Sequence, residues 1–490
     1  MPVYAAILTK WFFLQFQNQG GYFMDCSYIF RRRHPDYRQY CNSWERNRSA
    51  YIGGADYIQQ ALIQHVSEID LEYQERRQRA YYFNYPRKIA RLITQYILSG
   101  DPVRINSDPQ LVEDFSRTGM RVNEVMRQFS TMLNVYGSAW MLLEMPAFEG
   151  TVDQERQQRE NIRPYAVVLS PLEVVDWAWG EDGKLLWVLI EEKVFDNSNV
   201  FAEPKTFRRR RLWTRDKWQL FEERHSEVFM VAEGQHDLGI VPLVHAEEID
   251  GFGMRAGHWF DDVVRISDAI LNNESEAQMN IIKQMFGLLV ISENFARGNR
   301  PARSNSNRND GKFSHTLARS AAIWESSEEA GISRYISPNG AETATIRNEN
   351  AHLKAELFDI IGLTIVRETR ERQSAESKAW DHQQICQFLL NRVDLLEQTE
   401  LAAWQIMHRF DPSITVPEIS YNRDFSIADL QESISSLLEL RNIDAGSEFQ
   451  KEIARAAVTL LGRYQKIDPA RQKVIYDEIA QLDVPEKKEQ

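Results

Sequence analysis

The chain has 490 residues, 43% of them hydrophobic, with 12 Trp, 18 Tyr and 24 Phe, which is enough for two to four packed domains and not the composition of a disordered protein. Its 58 basic and 71 acidic residues leave a net charge of −13, which argues against a surface that grips duplex DNA, because that requires Lys and Arg to neutralise phosphates; a channel through which DNA slides has the opposite requirement. Three scattered cysteines, Cys26, Cys41 and Cys386, with no CxxC pair, fit a reducing cytoplasm and argue against a disulfide framework or a zinc site.

Residues 1–23 hold two short apolar runs, Val3–Leu8 and Trp11–Phe16, broken by Lys10. They are too short to span a bilayer and lack the pattern of a cleaved leader, so no membrane partner is expected. The chain then reads as helix-rich from Pro35 to Leu98. Within it, Arg76-Arg77-Gln78-Arg79 leads into Ala80-Tyr81-Tyr82-Phe83-Asn84-Tyr85. Tyrosines beside arginines offer a single-strand nucleic-acid platform, but core packing with amphipathic rims is the preferred reading. A helix is expected over 122–133, then a strand over 135–143 entered through Gly137. Further strands are expected at 166–169, 174–177, 185–190, 207–213, 218–222 and 228–231, with an Asp182-Gly183 hairpin signal, giving a mostly antiparallel sheet. In Arg208-Arg209-Arg210-Arg211, strand alternation sends successive guanidiniums to opposite faces. Solvated edges or subunit salt bridges are therefore expected rather than one phosphate-binding face. His225, His236, His245 and His258 have no carboxylate at a metal-ligand offset, and no metal is expected.

The stretch 255–410 organises the rest. A helix over 257–285, roughly 40 Å long at 1.5 Å per residue, carries apolar positions at spacings of three and four, interrupted by a polar belt, Asn272-Asn273-Glu274-Ser275-Glu276. A strand at 288–291 follows. Residues 294–319 set Arg297, Arg300, Arg303, Arg308, Lys312 and Arg319 against Asp310 alone, among Asn, Ser and Gly, the composition of a mobile solvated loop. A strand at 321–324, a turn at Tyr335-Ile336-Ser337-Pro338-Asn339-Gly340 and a helix with Ile346, Leu353, Leu357 and Ile361 come next. The charged break Arg367-Glu368-Thr369-Arg370-Glu371-Arg372-Gln373-Ser374 is either a loop or an i,i+4-paired solvated helix face. Beyond it, Ile385, Leu389, Val393, Leu396, Leu401, Trp404 and Met407 mark a long helix. The end of the chain reads as helices over 427–440, opened by Ser426, over 448–463 and over 470–482, the last with Asp468 as cap and Pro469 at its first position.

This succession resembles the core of tailed-phage portal proteins. The resemblance is carried by Leu288-Leu289-Val290-Ile291 after the first helix, Ile336-Ser337-Pro338-Asn339-Gly340 before the second, and Ser374-Ala375-Glu376-Ser377-Lys378-Ala379-Trp380-Asp381 followed by Leu395-Leu396-Glu397. Portals commonly carry a glycine in the last of these motifs, and this chain has none. Tyr136-Gly137 and the hydrophobic run after it resemble the portal segment that opens the β-rich part of the wing. Portal-like sequences usually begin near His34-Pro35-Asp36-Tyr37, so residues 1–23 are expected to be a start-site extension before Met24 or a disordered arm. The resemblance implies an α+β portal fold: wing over 24–255, first stem helix over 256–286, small α/β clip over 287–341, second stem helix over 342–366, tunnel loop over 367–376, long wing helix and linker over 377–423, and an all-helical crown over 424–490. It further implies a homo-oligomeric ring, dodecameric, in the virion at one capsid vertex and assembled in the host cytoplasm. The implied partners are double-stranded DNA, the large terminase packaging motor, a head-completion adaptor, and the major capsid and scaffolding proteins. The tunnel loop, with Arg367, Arg370, Arg372 and Lys378, would meet DNA in the channel. The clip loop, with Arg297, Arg300, Arg303, Arg308 and Lys312, would be a docking surface.

One enzyme-like signal competes. Ile240–His245, the Gly251, Gly253 and Gly257 turn, a helix, and Leu288–Ile291 ending at Glu293 read as a βαβ dinucleotide fingerprint of an oxidoreductase. Against it stand the acids Glu247, Glu248 and Asp250 where a pyrophosphate would approach, and the absence of further alternating βα units. On the portal resemblance, Leu238–Pro242 is the last wing strand and the glycines are a hinge. No P-loop, GxSxG or HExxH sequence occurs, so no catalytic residue and no cofactor are expected, and the energy for packaging has to come from a separate ATPase. A monomeric scaffold or adaptor is the third class considered.

Overall fold

The computed structural model of the chain describes residues 26–146, 154–201, 203–224, 227–248, 258–285, 288–292, 322–325, 334–336, 340–360, 375–423, 425, 447–464 and 469–481. After a 3-10 turn at Cys26–Phe30 come helices α1 (Pro35–Ile52), α2 (Ala55–Ala61), α3 (Asp70–Arg79) and α4 (Tyr85–Ile97), strand β1 (Val103–Ile105), and helices α5 (Pro109–Glu113) and α6 (Val122–Tyr136). The boundaries follow local chemistry. Pro35 opens α1 behind His34, whose ring accepts from the Asp36 N–H, and Gly53 at φ +63° ends it. The Asn84 side chain accepts from the Arg87 N–H to cap α4.

The next part is sheet. β2 (Ser138–Glu144), helix α7 (Gln154–Glu160), β3 (Tyr165–Leu169), β4 (Val174–Trp179), β5 (Leu185–Asp196), β6 (Lys205–Thr214), β7 (Lys217–Arg224), β8 (Glu227–Gln235) and β9 (Leu243–Glu247) follow in order. They form not one sheet but two, β3-β2-β9 and β4-β5-β6-β7-β8, both antiparallel. β2 is buried over its whole length, and its period of two divides the core. Trp140 and Leu142 face the five-stranded sheet, with Leu169, Val188 and Trp213. Ala139, Met141 and Leu143 face the helices, with Ile93, Phe129 and Trp404. The result is three layers, helices over a small sheet over a larger one.

Two expectations need correction here. The strand expected from Val135 starts at Ser138, because α6 persists to Tyr136 and ends on Gly137 in the left-handed region. The strand expected at Leu238–Pro242 lies at Leu243–Glu247, since Gly239 at φ +65° makes a turn before it. The arginine run on β6 is corrected as well: all four pair with carboxylates of the same chain, and the Arg208 side chain keeps 42% exposure. Arg208 pairs with Glu223 on β7 and Arg209 with Glu222 at 3.1 Å. Arg210 pairs with Glu191 on β5 at 2.6 Å, and Arg211 with Glu144 on β2 and with Glu192.

Helix α8 (Trp259–Met285) leaves this body, β10 (Leu288–Ser292), β11 (Ala322–Glu325) and β12 (Arg334–Ile336) form a small mixed sheet, and helix α9 (Ala341–Asp359) returns. In that sheet β10 is central, parallel to β11 and antiparallel to β12. β12 falls where a turn was expected. The long helix α10 (Ala375–Phe410) then packs Leu389, Val393, Leu396, Trp404 and Met407 into the main core. Ala375 and Glu376, expected in the loop before it, are already helical. β13 (Glu418–Ser420) pairs with β1, joining the end of this region to its beginning, a pairing the sequence reading did not anticipate. Helices α11 (Ser447–Tyr464) and α12 (Pro469–Ala480) complete the described residues. The helix expected over 427–440 lies outside them. No helix among the described residues is long and apolar enough to cross a membrane.

Candidate functional site

The residues singled out from sequence for DNA and partner contact lie, but for Lys378, outside the described residues. Arg297, Arg300, Arg303, Arg308 and Lys312 lie outside them, as do Arg367, Arg370 and Arg372 and the glycines Gly251, Gly253 and Gly257. Lys378 lies in the first turn of α10. What the structure does define is how the excursion between Trp259 and Asp359 is rooted in the body.

The excursion closes on itself, since a Cβ placed on Gly340, the N-cap of α9, would sit 3.8 Å from the Gln284 amide oxygen near the end of α8. From there the two helices run antiparallel. The Asn273 side-chain amide donates to Asn350 Oδ1 at 3.0 Å, Asn350 Nδ2 donates to Glu274 Oε1 at 2.9 Å, and Lys354 Nζ stands 3.7 Å from the same carboxylate. Asn350 is buried, and its partners satisfy both ends of its amide. It sits midway in a seven-residue repeat of buried positions, Thr343, Asn350 and Leu357.

The rest of the polar belt holds the loop between α2 and α3. Asn272 donates to the Ala61 carbonyl and accepts from the Ile63 N–H. Ser275 Oγ accepts from Arg76 Nη1 at 2.9 Å. Arg76, 1% exposed, also forks onto Glu68 at 2.8 and 2.7 Å and donates to the Ile63 carbonyl. The Arg76 contact holds the Glu68 carboxyl below its usual range. The belt thus interrupts the apolar face of α8 because it is the seam where a loop and a second helix dock.

At the base of α8 a second cluster spans the glycine-rich segment. Arg392 of α10, buried, donates from Nη1 to Asn134 Oδ1 at 2.7 Å and from Nη2 to Glu248, just past β9. Burial pushes its guanidinium down from the ordinary value and Glu248 works against that shift. Glu248 Oε2 also lies 3.5 Å from His258 Nε2, just before α8. His258 Nδ1 accepts from the Phe260 N–H at 2.9 Å, so the neutral ring carries its proton on Nε2, facing the carboxylate. The two ends of the 249–257 segment are therefore held together against α10. Gly137 completes the arrangement. Its carbonyl accepts from the Glu248 N–H at 2.9 Å, and a Cβ there would overlap the His258 ring.

A third buried charge fixes α10 to the β1–β13 pair. Glu400, fully buried, accepts from Arg104 at 2.5 and 2.9 Å, from Tyr421 Oη at 2.6 Å and from Trp404 Nε1 at 3.1 Å. Burial first, and then Glu400, pushes the Tyr421 hydroxyl well above its ordinary value, so it stays a donor. These residues were missed at the sequence level, although a signal was present. Arg392 is three residues from Leu389 and four from Leu396, and Glu400 is four from both Leu396 and Trp404, which puts both charges on the apolar stripe of α10.

Among the described residues no group of three or more His, Cys, Asp or Glu could hold a metal ion. A cleft of about 940 Å³ between α1, α2 and α8 is lined by polar side chains together with Ile52 and Ile63, and its Arg46–Asp268 pair closes at 2.5 Å. The strands on either side of α8 belong to different sheets, β9 beside β2 and β10 between β11 and β12, so they do not form the parallel βαβ unit that a dinucleotide fold requires.

No family model and no curated protein sequence matches the chain. Among solved structures, it is similar to a chain in the virion of a native gene transfer agent particle, with a TM-score of 0.41 and 11% identity over 83% of this chain and 98% of that one. It is also similar to chains in the neck of the native particle computed with C12 symmetry (TM-score 0.40, 11% identity, 75% and 89% covered) and in the neck of the empty particle computed with C6 symmetry (TM-score 0.40, 10% identity, 75% and 89% covered). At these values the functional reading has to rest on the chain's own residues.

Proposed function

We propose that the chain is a portal-type protein, one subunit of a closed ring at a single capsid vertex through whose channel double-stranded DNA enters and leaves. The observation that carries this reading is the excursion itself: two antiparallel helices, a small mixed sheet between their ends, and a 36-residue helix that returns to the core. Of the nineteen residues of α9 only Thr343, Asn350 and Leu357 are buried. A helix so exposed gains little from the body of its own subunit. In a ring of copies packed head to tail, neighbouring helix pairs would cover one another.

In this assembly α8 and α9 are the stem, 287–341 the clip, 367–376 the tunnel loop, 24–255 with 377–423 the wing, and 424–490 the crown. The Glu248 cluster would set the angle of stem to wing, Asn350 would join the two stem helices, and Glu400 would brace the wing. The function is mechanical and needs no catalytic centre. A large terminase motor would dock at the clip through Arg297, Arg300, Arg303, Arg308 and Lys312 and supply the energy, and a head-completion adaptor would replace it. Arg367, Arg370, Arg372 and Lys378 would face the channel. The ring would be dodecameric, assembled in the host cytoplasm among capsid and scaffolding proteins. Electron microscopy of the purified protein, with its mass measured in solution, tests the reading. Closed rings with a central channel are expected, and a monomer or dimer at every concentration would overturn it.

A further inference from the structure

β8 is the outer strand of the five-stranded sheet and pairs on one side only, with β7. Among the described residues no backbone group hydrogen-bonds to its other edge. Along it runs Val228–Ala232, five apolar residues between Glu227 and Glu233, of which Phe229, Met230 and Val231 are 45%, 50% and 37% exposed. An edge of this kind is a template for another strand, which folded proteins normally block with Pro, Lys or a cover. β8 contains neither Pro nor Lys. A one-residue bulge at Val231, between the Leu220–Ala232 and Phe221–Met230 pairs, is its only deterrent besides the glutamates.

The 3-10 turn at Cys26–Phe30 packs beside this strand. Its Ile29 carbonyl accepts from Arg210, and the Phe30 ring lies 5.7 and 5.1 Å from the guanidinium carbons of Arg208 and Arg210. The described chain therefore starts at the β8 side of the sheet. Residues 1–25 contain Trp11-Phe12-Phe13-Leu14-Gln15-Phe16, a run rich in strand-forming aromatics and with no charge, directly after Lys10. The nine residues 17–25 reach up to about 30 Å when extended, the length of β8 at about 3.3 Å per residue.

We propose that Trp11–Phe16 adds to the free edge of β8 of the same chain as a sixth strand of that sheet. Backbone hydrogen bonds supply the pairing, and Phe229 and Met230 gain apolar cover. Either strand direction brings Lys10 toward Glu227 or Glu233. The pairing holds whether or not the chain closes a ring.

Hydrogen exchange read by mass spectrometry on the full-length protein and on its Leu14→Pro variant tests this, because Pro removes a donor from the added strand. Exchange of the 227–235 peptide is expected to be at least tenfold faster in the variant, with β5 to β7 unchanged as the control for folding. In a second full-length variant, Phe13→Cys with Met230→Cys, a disulfide within one chain is expected on mild oxidation. Equal exchange in the two proteins overturns the proposal. So does a disulfide that joins isotopically distinct copies, which would make the added strand a neighbour's.

Discussion

Gly137 bears three constraints at once. It ends α6 at φ +70°, it offers its carbonyl to the Glu248 N–H, and it leaves the space that the His258 ring fills. The left-handed backbone alone costs a residue with a Cβ about 1–2 kcal/mol, and forcing a methyl into a filled space adds about 1–3 kcal/mol. Gly137→Ala is therefore expected to destabilise the protein by about 2–5 kcal/mol in urea unfolding. Because part of that loss is overlap with one ring, His258→Ala in the same chain should restore part of it. The coupling in a double-mutant cycle should reach about 1 kcal/mol or more, and strictly additive losses would show that the ring is not what the missing Cβ accommodates. Gly137 was read from the sequence only as an entry to a strand. Its contact with His258 joins positions more than a hundred residues apart, which no local pattern encodes. The buried Arg392 and Glu400 were more legible, since each breaks an apolar stripe at core register.

At the level of elements, the α8–α9 pair depends on a polar residue in an apolar seam. Thr343, Asn350 and Leu357 repeat every seven residues with Ile346 and Leu353 three further on, the spacing of a coiled-coil seam, in which a buried Asn fixes register at a cost in stability. Asn350→Leu leaves the half-buried Asn273 amide without its acceptor and Glu274 with Lys354 alone, a loss of about 1–3 kcal/mol. Adding Asn273→Leu should recover most of it, because removing both partners is nearly neutral. Faster amide exchange confined to α9 in the single variant, returning toward the parent rate in the double, is the expected readout. Undiminished protection in the single variant would mean that the bonds contribute nothing to docking. The helices and the strands from Tyr165 to Gln235 were legible because their periods of 3.6 and 2 survive in sequence. Their grouping into two sheets was not, since only β2, buried on both faces, announces a layer on each side. β1 and β13 are three residues each, too short to show a period, and their partners are some three hundred positions apart. The polar belt of α8 was visible as an interruption, but which elements fill it depends on tertiary contact with Ile63, Arg76 and Asn350.

At the scale of the whole molecule, the distribution of charge carries more than its sum. The arginines that stood out most in the sequence, Arg208 to Arg211, are neutralised by glutamates of the same chain. The buried side chains of Arg76, Arg104 and Arg392 likewise each reach a glutamate. By contrast, residues 294–319 hold six basic side chains and Asp310 as their one acid in a chain of net charge −13. That is a local excess of positive charge in the sequence. On the proposed portal reading, if that excess serves docking, deleting 297–312 should leave ring formation intact by electron microscopy and mass, because the α8–α9 seam and the Glu248 and Glu400 clusters are untouched. Binding of the packaging motor, measured by co-sedimentation, should fall at least tenfold, and the salt dependence of what remains should flatten, as expected when cationic contacts are removed. A variant that no longer closes into rings would make the loop an assembly element instead. Unchanged motor binding with the same salt dependence would place docking elsewhere on the ring.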